Sequence, residues 1–225
     1  MWAVSSGKGG VGKSTLCANL AVALAARPLR VGLMDTDIYG PNIPGMLGLD
    51  SSKPEVDEQS GRILPREALG VQCISMGMLI DPGIPVIWRG PMLAKMTNQF
   101  LFQVDWGELD VLLLDLPPGT GDVQISLTQS APLTGSVIVT TPSEIALEDV
   151  RRGVQMFRQT EIPILGLVEN MSHFICDSCH GTSAIFGEGG GRRTAEHFGI
   201  PFIGQLPLDA RIRECADGGA PIVSA

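Results

Sequence analysis

The first chemical feature of this chain is a loop rich in glycine and lysine, Gly-Lys-Gly-Gly-Val-Gly-Lys-Ser-Thr, at residues 7–15. Its glycines let successive backbone N–H groups converge on the phosphate oxygens of a nucleotide; they are Gly7, Gly9, Gly10 and Gly12. Lys13 supplies a positive charge, and the hydroxyl of Ser14 is a ligand for Mg²⁺. An apolar segment of strand type precedes the loop and leucines at helical spacing follow it, as this motif requires. A simple glycine-rich turn would explain neither lysine.

Lys8 is a second lysine that the loop does not need for its own nucleotide, because Lys13 already has that role. Two cations on one γ-phosphate would be crowded, which suggests that Lys8 acts at another site. The loop resembles the deviant P-loop class, which includes septum-site and partition ATPases and the nitrogenase iron protein. In that class the first lysine crosses a dimer interface to the partner's nucleotide. There it would stabilise the transition state of phosphoryl transfer, as an arginine finger does in trans. A solvated surface lysine is the alternative.

Two carboxylates follow apolar runs of strand type, at the carboxyl ends where nucleotide chemistry requires them. Asp37 comes just after one run and is predicted to orient the attacking water or to hold water bound to Mg²⁺. Asp115 ends another run of valine and leucine and is predicted to hold Mg²⁺ through water. For Asp35 and Asp122, a functional role and a structural role as a strand cap or turn former are about equally supported.

A segment rich in proline and glycine follows Asp115 at residues 117–122. Such a segment can act as a switch that is ordered by the γ-phosphate. Gly119 is expected to sense that phosphate through its backbone N–H group.

Cys176 and Cys179 form a Cys-x-x-C pair, which offers two thiolates. A four-iron cluster or a structural zinc ion needs four protein ligands, so the pair is half of such a site. A two-fold dimer would bring two pairs together and complete a set of four cysteines. Spacing does not distinguish iron from zinc. A redox dithiol is a third alternative, although the pair does not open a helix as thioredoxin-like motifs do.

The other cysteines and the nearby histidines carry weaker signals. Cys17, Cys73 and Cys215 are expected to be small buried hydrophobic residues, because free cysteine is usually buried. His173 and His180 flank the pair and could be metal ligands, but a polar loop histidine is the better default.

Apolar runs alternate with amphipathic stretches, which predicts an α/β fold with a doubly wound, mostly parallel sheet flanked by helices. The predicted strands are 2–4, 31–34, 71–76, 111–114, 137–139, 164–168 and 202–204, and the predicted helices include 91–103, 143–158 and 191–198. The polar stretch 50–62 is expected to be a surface loop.

Composition limits the class of protein. The 225 residues are 44% hydrophobic and 18% charged, which predicts one globular domain over residues 1–225. A net charge of −8 with scattered lysine and arginine disfavours binding to nucleic acid or to an acidic membrane. No signal peptide or membrane-spanning run is recognisable, so we expect a cytoplasmic location, and an odd number of cysteines favours thiol and metal chemistry over disulfides. We also expect that both ends are trimmed from a longer chain.

The motifs together resemble the Mrp/ApbC family over essentially the full length. They occur in that family's order: Asp35 to Pro41, Trp88 to Pro91, Asp105 to Gly107, Asp115 to Asp122, Asn170 to Ser172 and Cys176 to Cys179. The resemblance implies a homodimeric ATPase that carries a [4Fe–4S] cluster and delivers it to apo iron–sulfur proteins. A cluster assembly scaffold is a further partner that the resemblance implies.

The resemblance also implies roles for single residues. Phosphate and magnesium are bound by Gly10, Val11, Gly12, Lys13, Ser14 and Thr15; Asp37 and Asp115 serve hydrolysis, Asn170 contacts adenine, and Cys176 with Cys179 binds the cluster. The alternative is a positioning ATPase of the MinD/ParA type with a structural zinc. Such a protein would need a basic amphipathic tail or surface stripe, which the sequence does not show.

Overall fold

The computed structural model describes residues 1–38, 40–50, 52–78 and 90–224, with only the backbone described at 90–94 and 122. Tyr39, Trp88 and Arg89 of the motifs above lie outside the described residues.

An eight-stranded sheet forms the centre of the fold, in the order β10-β7-β6-β1-β5-β2-β4-β3. Its strands are β1 (Trp2–Ser6), β2 (Val31–Asp35), β3 (Arg66–Ala68), β4 (Val71–Ser75), β5 (Val111–Asp115), β6 (Gly135–Thr140), β7 (Ile164–Glu169) and β10 (Phe202–Gln205). All neighbours pair in parallel except β3, which pairs antiparallel with β4 at one edge. The inner strands are buried on both faces, which explains their nearly continuous apolar sequences. A separate hairpin consists of β8 (Phe174–Ile175) and β9 (Thr182–Ser183).

Helices cover both faces of the sheet. They are α1 (Lys13–Ala25), α2 (Ile43–Met46), α3 (Gly90–Gln103), α4 (Asp122–Ser130), α5 (Glu144–Gln159), α6 (Gly190–Phe198) and α7 (Ala210–Asp217). One hydrophobic core lies between the sheet and α1 with α2, where Ala18, Ala21 and Ile43 are fully buried. The other lies under α3 to α6, around Phe100 and Phe157. Among the described residues, no helix combines the length and the apolar character that crossing a bilayer requires.

The predicted strands and helices are confirmed with small shifts at their ends. The strand β3, the hairpin and the helices α2, α4 and α7 were not predicted. Cys17 and Cys73 are fully buried, as expected. The expectation for Cys215 is wrong, because this residue lies on the amphipathic surface helix α7, which buries none of its residues fully.

Candidate functional site

The phosphate loop runs from the end of β1 to the first turn of α1, so the N-terminus of α1 points at the site that the loop encloses. Gly10 and Gly12 have φ angles of +80° and +82°, a conformation that favours glycine. A Cβ atom on Gly12 would also collide with the side-chain amide of Asn170. The loop therefore needs glycine at residue 12 for two separate reasons.

Lys13 and Ser14 both contact Asp115 at the carboxyl end of β5. The Lys13 ammonium lies 2.7 Å from Asp115 Oδ1, and the Ser14 hydroxyl donates to Asp115 Oδ2 over 2.6 Å. Lys13 is 6% exposed and Asp115 is fully buried. This carboxylate therefore neutralises the cation that a phosphate in the loop would meet.

Asp35 and Asp115 are register partners on the neighbouring strands β2 and β5, so two buried carboxyl groups lie side by side. Burial and then the charge of Asp115 raise the pKa of Asp35 to about 8. Burial also raises the pKa of Asp115, against the opposing effect of Lys13. Because Lys13 pairs with Asp115, Asp35 is the partner that holds a proton near neutral pH. Asp35 accepts hydrogen bonds from the Ser75 hydroxyl and the Asp37 N–H group.

A cavity of about 220 Å³ opens above the phosphate loop. Its lining includes Lys8, Lys13, Ser14, Asp37 and Pro118. The cluster that the sequence predicted for phosphate and metal chemistry is thus brought together around one space. Hydroxyl and carboxylate oxygens are the ligands that Mg²⁺ prefers, so Ser14, Asp37 and Asp115 fit a magnesium site.

Gly119 lies beside this cavity with a φ angle of +102°. Its N–H group donates to the Ser6 carbonyl at the end of β1 over 3.0 Å. The predicted contact between Gly119 and a γ-phosphate therefore requires that this hydrogen bond first breaks. Gln124 on α4 supports the same segment, because its side-chain amide donates to the Pro117 carbonyl.

Asn170 follows β7 and joins the phosphate loop to a second cavity. Its side-chain Nδ2 donates to the Val11 carbonyl over 2.9 Å. The cavity, of about 220 Å³, is lined by Thr15, Asn170, Met171, Pro207 and Leu208, with residues of α7. An apolar cavity of about 250 Å³ adjoins it along α1. We call the cavity of about 220 Å³ the base cavity, because the predicted contact between Asn170 and adenine would lie there.

The two predicted metal ligands lie in the turn of the β8–β9 hairpin. The turn is closed by hydrogen bonds from Cys176 N to the Gly181 carbonyl and from His180 N to the Cys176 carbonyl. The backbone N–H groups of Cys179 and Ser178 face the Cys176 sulfur and lower the pKa of its thiol. Cys176 is half-buried and Cys179 is exposed.

Within the described residues, no group of three or more His, Cys, Asp or Glu side chains is placed to hold a metal ion. His173, one of the two flanking histidines, instead contacts the Ser172 hydroxyl through Nδ1. The described part of one chain therefore offers two thiols at the hairpin, half the number of ligands that a four-ligand metal site requires.

Residues 206–208 connect the base cavity to the hairpin, and we call them the strap. Leu206 accepts hydrogen bonds from the N–H group and the hydroxyl of Ser172, and Leu208 N donates to the His173 carbonyl over 2.8 Å. Leu208 also pairs with Phe174 of β8. The strap therefore lines the base cavity and holds the root of the hairpin at the same time.

The sequence did not single out the strap or Ser75, and it assigned Met171 no role beyond its place in the motif Asn170 to Ser172. The strap follows β10 at the carboxyl edge of the sheet, and the rule that ligands bind at this edge could have indicated it. Met171 has a φ angle of +54°, and methionine in the sequence gives no indication of a positive φ. Ser75 becomes relevant only because β4 lies beside β2.

The model of the family described as NUBPL iron-transfer P-loop NTPase matches residues 1–225. The chain belongs to this family. It is therefore a P-loop NTPase, as the phosphate loop predicts. The membership confirms the class of protein that the resemblance indicated.

Curated relatives of this NTPase are about half identical to it. An iron–sulfur protein required for NADH dehydrogenase from Arabidopsis thaliana is 52% identical over 98% of this chain and 70% of its own length. An iron–sulfur cluster carrier protein from Synechocystis is 53% identical over 98% of this chain and 64% of its own length. The chain thus spans about two thirds of the length of these relatives.

Solved structures share the fold. A nucleotide-binding protein from Archaeoglobus fulgidus in complex with ADP is 40% identical, has a TM-score of 0.85, and matches 97% of this chain and 85% of its own. The septum site-determining protein MinD from Pyrococcus horikoshii, complexed with Mg-ADP, has a TM-score of 0.68 over 98% of this chain and 86% of its own. At 23% identity MinD supports the fold alone.

Proposed function

We propose that this protein is an ATPase that binds an iron–sulfur cluster between two copies of the chain and transfers it to apo-proteins. One observation carries the proposal: the hairpin of each chain presents the two thiols of Cys176 and Cys179, and the strap joins this hairpin to the wall of the cavity that Asn170 lines. The names of the relatives support iron–sulfur transfer. The positioning function of MinD-type proteins has no such support, since the similarity to MinD extends only to the fold.

For ATP, we propose that Lys13 leaves Asp115 and pairs with the phosphates. Ser14 and Asp115 would then hold Mg²⁺, which neutralises charge on the phosphates, and Asp37 would orient the attacking water. Asn170 would contact the adenine, and Gly119 would exchange its hydrogen bond to Ser6 for one to the γ-phosphate.

Lys8 is proposed to act on the nucleotide of the second copy. Lys8 lines the phosphate cavity, where Lys13 already supplies a positive charge for the chain's own nucleotide. A dimer that faces its phosphate loops toward each other would therefore gain hydrolytic activity from Lys8, and an isolated chain would not.

For the cluster, we propose that the two thiolates of each copy complete a four-cysteine cage for [4Fe–4S] across a two-fold axis. The N–H groups directed at Cys176 favour its thiolate, which is the form that ligates a metal. Iron with sulfide is favoured over zinc because the relatives are named as iron–sulfur carriers, while the ligand set suits both metals.

The strap is proposed to couple the two sites. A base that displaces Pro207 or Leu208 would shift the hydrogen-bond acceptor and donor that hold Ser172 and His173, two and three residues from Asn170. Nucleotide can change the affinity for the cluster only through contacts that differ between two states, and the strap belongs to both sites.

Cluster transfer tests the proposal. The chain is loaded anaerobically with iron and sulfide, and transfer to an apo-ferredoxin is followed by circular dichroism with and without Mg-ATP. We expect Mg-ATP to change the transfer rate, and we expect Cys176→Ser to abolish loading while Cys215→Ser leaves it unchanged. A Cys176→Ser variant that loads and transfers normally would refute the proposed site.

The acceptors are proposed to be apo iron–sulfur proteins, as the relatives' names suggest. The expected cytoplasmic location stays a prediction, since one relative is named as mitochondrial.

A further inference from the structure

The hairpin and the loop after it expose apolar side chains that one copy of the chain leaves uncovered. Ile175, Ile185 and Phe186 are 43%, 55% and 42% exposed. We call these three residues the apolar collar. Every residue from 177 to 188 is exposed, so the described part of the chain folds nothing over this segment.

The collar borders the two cysteines. Ile175 directly precedes Cys176 and pairs with Thr182 across the hairpin. Ile185 and Phe186 follow β9, whose Ser183 pairs with Phe174 two residues before Cys176. Apolar side chains therefore occur on both arms of the hairpin that presents the thiolates.

The collar has the composition of an interface core. Asp177 is the only carboxylate between Ile175 and Phe186, and the chain has no lysine or arginine between residues 159 and 191. Cores of protein interfaces are depleted in charge and enriched in large apolar and aromatic side chains. Contiguous exposed apolar surface marks contact sites on soluble proteins. The three residues of the collar lie close together along the hairpin and the loop that follows it.

We propose that the collar is the contact surface on which a second copy of this chain docks when the two cysteine pairs join. The inference rests on the proposed function and names the residues that hold that dimer together. A two-fold interface places the same patch on both sides, so an apolar patch meets its own apolar copy. The half-site selects this occupant, because the second pair of thiolates must arrive at the hairpin on a second chain.

The collar also determines how water reaches the shared cage. Cys179 is exposed in the single chain, so a cage built from it would be open to solvent. Ile175, Ile185 and Phe186 from both copies would place six apolar side chains on the two hairpins, and the loops after them, that bring the four sulfur atoms together. We expect this ring to slow the loss of cluster to chelators and oxygen.

Sedimentation of the cluster-loaded full chain tests the proposal. In the double variant Ile185→Ser/Phe186→Ser, we expect the dimer dissociation constant to rise about 100-fold, which at about 1.4 kcal/mol per factor of ten is about 2.8 kcal/mol. The matched control is Val56→Ser/Phe102→Ser, which removes apolar residues that are 55% and 67% exposed and lie near α3, away from the hairpin. The control is expected to dimerise as the wild type does.

Three outcomes separate the collar from the half-site. If the double variant dimerises as tightly as the wild type, the collar is not the contact surface, while the shared cage stands. If the double variant dimerises normally but transfers its cluster slowly, the collar serves the acceptor and the inference is overturned. If the wild type stays monomeric when fully loaded, the shared cage itself fails.

Discussion

Replacing Asp115 with asparagine tests the electrostatics of the Lys13–Asp115 pair at the phosphate loop. The Lys13–Asp115 pair has an N–O distance of 2.7 Å and is almost completely buried. Removing one partner of a buried pair usually costs about 3–5 kcal/mol, because the other charge stays buried without compensation. Asparagine keeps one side-chain oxygen, which still accepts from Lys13, and its amide N–H group can donate to the Ser14 hydroxyl, so we expect the lower end, about 3 kcal/mol. At pH 7 Asp35, with a pKa of about 8, is mostly protonated, so little repulsion between carboxylates is relieved.

Urea unfolding at pH 7 with EDTA and without nucleotide measures this loss. Glu108→Gln is the matched control, since Glu108 pairs with Arg30 at the same distance of 2.7 Å but is 88% exposed. An exposed pair is worth about 0–1 kcal/mol, so the control should lose no more than that.

The same substitution should strengthen the binding of ADP in the absence of Mg²⁺. In the wild type the phosphates must displace Asp115 from Lys13, whereas in Asp115→Asn the ammonium is already available. By thermodynamic linkage, any part of the lost stability that is regained when ADP binds appears as tighter binding. We expect an affinity about tenfold higher by calorimetry. Equal losses in Asp115→Asn and Glu108→Gln, or weaker ADP binding in Asp115→Asn, would contradict the proposed role of the Lys13–Asp115 pair.

Three further changes probe other parts of the site. Asp35 has a folded pKa raised far above its unfolded value of 3.8, so it contributes stability below pH 4 that is lost as the pH rises toward 8. Wild-type stability should fall over that range by up to about 1.4 kcal/mol per pH unit, and Asp35→Asn should flatten the fall in urea titrations at pH 5 and 8. Gly12→Ala should cost about 1–3 kcal/mol more than Gly10→Ala, because both residues have positive φ but only the first substitution collides with Asn170; thermal unfolding compares them, and equal losses would argue against the collision. Lys8→Ala should keep ATP binding but lower the hydrolysis rate about 10³-fold at dimer-forming concentrations, and an unchanged rate would remove Lys8 from catalysis.

The sequence predicted the sheet because its strands are buried on both faces and so read as apolar runs, as in β2 and β5. The strand β3 was missed because its three residues, Arg66–Ala68, lie half-exposed at the edge and lack that pattern. The two-residue strands of the hairpin are too short for any periodicity.

The candidate site was predicted residue by residue where a motif fixes the chemistry, as at Lys13 and Asp115. The pairing between these two residues was not predicted, because the motif assigns phosphate to Lys13. The strap was missed since its role depends on the proximity of Leu206 and Leu208 to Ser172 and His173, which lie more than thirty residues earlier in the chain. Such contacts follow from the pairing of β10 with β7, which sequence periodicity does not give.

The stoichiometry of the loaded protein tests the central claim of a shared cage most directly. Native mass spectrometry of the chain after anaerobic loading with iron and sulfide reports the number of clusters and the number of chains in one measurement. A cage shared by two chains predicts one [4Fe–4S] cluster for every two chains and none with Cys176→Ser or Cys179→Ser. A single chain that retains a complete cluster through Cys176 and Cys179 would contradict it.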